Sequence, residues 1–149
     1  EVESVDQPHA HLLGRQDELV KRVAKAASGP LVCVLNVGSP KLLPWIDSVH
    51  SILLAHFGGE ETAEAVKEAL LGETTPAGRL PTTWPRQLED VPAIAAGRSP
   101  EAKKAEAKGN LLYAEGLRVG YRGYCADGPS AESTPLFPFG FGLSYTKFE

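Results

Sequence analysis

The sequence predicts an α/β fold, and three observations carry that expectation: an amphipathic helix leading into an uninterrupted apolar run, a second apolar run followed by a second helix, and short turn signals between them. From Gln16, the segment QDELVKRVAKAA sets Leu19, Val20, Val23, Ala24 and Ala27 at helical spacing. Asp17 and Glu18 fall in its first turn, where the helix macrodipole favours anions. Ser28-Gly29-Pro30 stops the helix, and Leu31-Val32-Cys33-Val34-Leu35 follows without polar alternation, the pattern of a strand covered on both faces. After a turn region from Asn36 to Pro44, Val49 to Ala55 forms a second buried strand. Gly58-Gly59 then leads into a helix around Glu60 to Leu71, with Ala63, Val66 and Leu70 as its inner stripe. Gly72 is placed to end that helix in the left-handed conformation. Strands alternating with helices imply parallel pairing through right-handed crossovers.

The last third reads differently. Pro76, Pro81, Pro85 and Pro92 leave Arg79 to Trp84 at best a short strand at an edge. Ser99 to Gly109 is rich in alanine, lysine and glutamate and favours helix, but it has no apolar stripe to dock and reads as an exposed excursion. From Leu111 the chain interleaves aromatic residues with glycines that let the backbone turn between large rings.

With 149 residues, 42% of them hydrophobic, the chain suits one domain with a continuous core, taken here as residues 1–149. Fifteen basic residues stand against 19 acidic ones, and no basic face is interleaved with aromatics, so nucleic acid is not an expected partner. The longest apolar runs are far shorter than the roughly 20 residues of a membrane-spanning helix, so no membrane partner is expected either. The acidic start, Glu-Val-Glu-Ser-Val-Asp, does not resemble a targeting peptide. Cys33 and Cys125 read as a buried thiol and an unrelated loop thiol.

Few residues suggest chemistry by themselves. Asn36-Val37-Gly38-Ser39-Pro40 follows a strand but lacks the glycine fingerprint and lysine of a phosphate loop, and reads as a structural turn. Ser39 and Ser144 lie outside a Gly-x-Ser-x-Gly elbow. His9, His11, His50 and His56 have no cysteine or carboxylate at zinc-site spacing, so no metal is expected. Trp45 and Trp84, each beside a proline, read as core plugs. Glu1, Glu3 and Asp6 crowd one short segment, and mutual repulsion with partial burial would raise a carboxyl pKa as a general acid requires; from composition alone, a solvated acidic terminus is the favoured explanation.

The order of motifs resembles the C-terminal domain of glycoside hydrolase family 3 over nearly the whole chain. Glu1-Val2-Glu3-Ser4-Val5-Asp6-Gln7 is similar to the family's Glu-x-Glu-(Gly/Ser)-aromatic-Asp-Arg segment, with Val5 in place of the aromatic residue and Gln7 in place of the arginine. Leu13 to Val20, Val34 to Pro40, Pro44-Trp45 and Gly59-Glu60-Glu61 follow in order. Pro76-Ala77-Gly78-Arg79-Leu80-Pro81, Tyr113-Ala114-Glu115-Gly116, Gly120-Tyr121-Arg122 and Phe139 to Thr146 complete the series.

The resemblance implies a three-layer sandwich, with a mostly parallel sheet between helices, packed against an N-terminal (β/α)₈ barrel that this chain lacks. It implies retaining, exo-acting hydrolysis of terminal β-D-glucosyl residues, with a barrel aspartate as nucleophile and no cofactor. Glu3 matches the position of the general acid/base, and Asp6 and Gln7 would help to fix its loop. Glu61 and Arg79 would belong to a structural charge network. The isolated chain is expected to be inactive. Secretion is expected from the family. Two alternatives are a non-catalytic docking or carbohydrate-binding module, and the same domain from a β-xylosidase.

Overall fold

The computed structural model describes Gln7 and residues 9–147. Glu3, the acid/base expected from the resemblance, lies outside these residues, as do Glu1 and Asp6. The chain divides into two compact units, one reaching to Gly78 and including the tail from Gly142, the other Arg79–Phe141.

The first unit holds α1 (Gln16–Ala26), β1 (Val32–Leu35), β2 (Ser51–Leu54) and α2 (Thr62–Leu71). These are the four elements that the periodicity predicts, each within a few residues of its expected bounds. β1 and β2 pair in parallel, with Val32 opposite Ser51 and Leu35 opposite Leu54. The wider sheet implied by the resemblance is not formed among the described residues, whose one sheet has two strands. His50 closes the entry to the pair, its Nδ1 accepting from the Leu31 N–H at 3.0 Å.

The core of this unit sits beside the strand ends: Leu12, Leu35, Val37, Leu43 and Trp45 are buried. Trp45, only 1% exposed, keeps its indole N–H satisfied by donating to the Asp17 carboxylate at 2.6 Å, and so ties the loop after β1 to the first turn of α1. Gly72 takes the expected left-handed conformation (φ 74°). The Gly72 and Glu73 N–H groups return to the Ala69 and Glu68 carbonyls, closing the last turn of α2. Past Gly142 the tail is held by Tyr145, whose hydroxyl donates to the Ala69 carbonyl at 2.8 Å.

In the second unit the expected edge strand shrinks to one antiparallel bridge between Trp84 and Phe137. Pro81 and Pro85 remove the donors that a longer ladder would need. Trp84 is 2% exposed and fills the core, as its place beside a proline suggests. Main-chain bonds between Leu80 and the Gly140–Phe141 turn extend the contact, and the Phe137 and Phe141 rings stack at 5.1 Å.

Two short helices, α3 (Pro92–Gly97) and α4 (Pro100–Glu106), occupy the stretch where no docked helix is expected. Each opens on proline, whose missing N–H costs nothing in a first turn. The Ser99 hydroxyl caps α4 by accepting from the Ala102 N–H at 3.2 Å. Ala102 is buried, so the excursion expected to be exposed docks one face; alanine packs closely without the large apolar stripe that marks such a face in sequence. Gly123 lies against Pro92 and the Arg118 carbonyl so tightly that a Cβ there would collide with both.

Candidate functional site

Parallel, in-register pairing brings the carboxyl ends of β1 and β2 side by side, and at that end open α/β sheets bind ligands. Two loops leave it: residues 36–44 after β1 and residues 55–61 after β2. They meet at one hydrogen bond, His56 Nδ1 to the Val37 carbonyl at 3.1 Å. A carbonyl only accepts, so Nδ1 carries the hydrogen and Nε2 of the neutral ring is left as an acceptor. His56 has φ 50°, the one positive value at a non-glycine among the described residues. Such strain persists where the surroundings fix it, and it concentrates at functional sites.

The loop after β1 is held from several directions. Val37, Lys41, Leu43 and Trp45 are buried. The Leu42 N–H donates to the Ala10 carbonyl at 2.8 Å, joining this loop to the segment that runs from Gln7 to α1. Asp17 receives the Trp45 indole and lies 3.4 Å from His11 Nδ1. Thus the segment from Ala10 to the first turn of α1 is anchored to the carboxyl end of β1. Gln7, which stands where the family has arginine, is half-buried, and its Oε1 accepts no hydrogen bond among the described residues.

Beyond β2 lies a depression of about 240 Å³ between the strand end and α2, lined mainly by Leu53, Ala55, Gly58, Glu61, Thr62 and Val66. Gly58 is required there: a Cβ would stand 2.5 Å from the Thr62 hydroxyl, which donates to the Gly59 carbonyl. Glu61 is the single carboxylate of the lining, whereas retaining glycoside hydrolysis needs two about 5 Å apart. The depression by itself is therefore no hydrolytic centre.

The remaining expectations fall at definite places. Trp45 and Trp84 are too buried to offer a ring face to a sugar. His50 is an exposed rim residue, and His9 meets His11 edge-on at 5.8 Å. Among the described residues no three His, Cys, Asp or Glu side chains gather as a metal site. Cys33 is half-buried, burial pushing its thiol pKa up, and Cys125 is exposed; both are free thiols. Tyr124 is also pushed up, first by burial and then by the nearby charge of Asp90. Motif reasoning weighed His56 only as a metal ligand and passed over Lys41. The positive φ of the first and the burial of the second leave no periodic signal, and only the position of His56 just past a strand hinted at it.

A parallel strand pair with helices before and after it in the chain, and anchored loops at its carboxyl end, defines an α/β protein. Residues 1–121 match the family model described as the glycosyl hydrolase family 3 C-terminal domain, and the chain belongs to that family. It is 40% identical over 148 residues to a β-glucosidase of Rhizobium radiobacter, covering 99% of this chain and 17% of that protein. Identity to the thermostable β-glucosidase B of Acetivibrio thermocellus is 42% over 149 residues, all of this chain and 18% of that one. Among solved structures, the β-glucosidase of Kluyveromyces marxianus superposes with a TM-score of 0.82 at 34% identity, over 100% of this chain and 16% of that chain. A β-glucosidase of Streptomyces venezuelae in complex with D-glucose gives a TM-score of 0.81 at 33% identity, over 97% and 17%. The chain thus spans about one sixth of the length of these relatives.

Proposed function

We propose that this chain forms part of a retaining β-glucosidase, supplying the general acid/base Glu3 and part of the cleft wall. The observation that carries the reading is the family match, which begins at residue 1 and so includes the Glu-Val-Glu-Ser-Val-Asp-Gln segment. The β-glucosidase relatives and the glucose-bound structure favour a terminal β-glucoside as substrate. In the proposed cycle, an aspartate of the barrel attacks the anomeric carbon while Glu3 gives its proton to the departing glycosidic oxygen. The glucosyl–aspartate ester is then hydrolysed by water whose proton returns to Glu3. No cofactor enters this cycle.

Because the nucleophile belongs to the barrel, residues 1–149 alone turn over nothing. The decisive experiment is hydrolysis of an aryl β-glucoside, first by the chain alone and then by a chimera in which it replaces the matched stretch of the Rhizobium radiobacter enzyme. The chimera is expected to be active, to lose about 10²- to 10⁴-fold on Glu3→Gln, and to regain part of the rate with azide. Turnover by the chain alone would sink the split-site reading. A chimera indifferent to Glu3→Gln would move the acid/base elsewhere.

A further inference from the structure

His56 stands just past the carboxyl end of β2 in a left-handed conformation, φ 50°. Glycine or asparagine takes that conformation at lower cost, and the same turn already uses glycine two and three residues on, at Gly58 and Gly59. An imidazole kept at such a position is kept for its side chain. One ring nitrogen is accounted for: Nδ1–H donates to the Val37 carbonyl at 3.1 Å and fastens the loop after β2 to the loop after β1. Nε2, by contrast, accepts no hydrogen bond among the described residues, yet it is not one of the enclosed unpaired atoms, which are Gln7 Oε1, Thr83 Oγ1 and Ser130 Oγ. It is therefore an acceptor open to solvent, on a ring whose tautomer and direction are fixed from its other side.

The surroundings suit a sugar. Phe57, 63% exposed, leaves an uncovered ring on the same turn, and the depression lined by Ala55 and Gly58 adjoins it. Sugar-sized ligands are gripped by an apolar face together with a few fixed polar atoms. An anion is less well served, since an acceptor nitrogen offers it no donor. A metal ion is less well served too, because no three His, Cys, Asp or Glu side chains gather among the described residues.

We infer that His56 is a specificity-determining residue for the leaving group: its Nε2 accepts a hydrogen bond from a hydroxyl of a sugar aglycone. The inference rests on the proposed function in one respect. There this chain protonates the departing oxygen, so the wall it contributes faces the aglycone, whereas the glucosyl unit is attacked from the barrel. The Leu42–Ala10 bond brings the segment ahead of α1 to the same strand end as His56. A leaving group that carries the hydroxyl is then recognised better than one that lacks it and strands the acceptor.

Hydrolysis of cellobiose and of an aryl β-glucoside without leaving-group hydroxyls, by the Rhizobium radiobacter chimera and its His56→Asn variant, tests this. Asparagine tolerates the left-handed backbone, and its amide can replace Nδ1 toward the Val37 carbonyl, but no atom of it reaches where Nε2 stood. The variant is expected to lose about three- to tenfold in kcat/KM for cellobiose relative to the aryl substrate. A second measurement needs no variant to fold. Among cellobiose analogues each lacking one hydroxyl of the reducing-end ring, one is expected to lose the same factor on the unaltered chimera, and His56→Asn to abolish that difference. Equal loss on both substrates reduces His56 to a fastening of the two loops and overturns the inference. An unchanged ratio, or a chimera blind to every aglycone hydroxyl, also overturns it. Selectivity that depends on His56 in a chimera indifferent to Glu3→Gln would sustain this inference while the acid/base assignment fails.

Discussion

At the scale of single residues, environment separates groups of identical chemistry. Cys33 sits in β1, where burial raises its thiol pKa, while Cys125 is exposed in a loop. A raised pKa leaves less thiolate at any pH below it, and burial adds a barrier to access. Iodoacetamide at pH 8 is therefore expected to label Cys125 at least about tenfold faster than Cys33, with the gap narrowing as pH rises toward the thiol pKa. Peptide mass spectrometry over a time course reads the ratio, and equal rates would show that β1 opens freely. The same scale explains the hold on Trp45. Its bond to a carboxylate contributes about 1.5–3 kcal/mol, more than a neutral pair would.

At the scale of elements, helix ends decide what short helices are worth. α4 has seven residues and one buried residue, Ala102, so the Ser99 cap is a large share of what holds it. Ser99→Ala is expected to cost about 1 kcal/mol, read as a lower denaturation midpoint with an unchanged slope, and Ser99→Asp to restore most of it. This element also marks where sequence reading stopped. α1, β1, β2 and α2 were legible because Leu19, Val23, Val66 and the unbroken run at Val32 impose a period. The α4 segment has only alanines to bury, and α3 is too short for any period. The single bridge at Trp84 was legible as an edge because of its prolines. Of the site, the anchored loop after β1 was visible as a turn, whereas His56 depends on a backbone angle and Lys41 on burial, which only the folded chain sets. The reading of Glu3 rests on the family resemblance alone, and the residue lies outside the described ones.

At the scale of the whole molecule, charge and apolar surface act together. The chain carries a net charge of -4 at pH 7 and a pI of about 5.6, while Leu111, Tyr113, Leu117 and Val119 in the second unit lie open to solvent. Self-repulsion vanishes at the pI, so light scattering from the 149-residue chain is expected to peak close to pH 5.6 and to fall by pH 8. A flat profile would mean that the apolar patches are covered in solution. One tie in this molecule also bears on how the family can vary. The Leu42–Ala10 bond joins main chain to main chain, so neither side chain takes part in it. A join of this kind is silent to most substitutions at either position. Residues 10 and 42 can therefore be exchanged for others while this stitch in the backbone keeps its place.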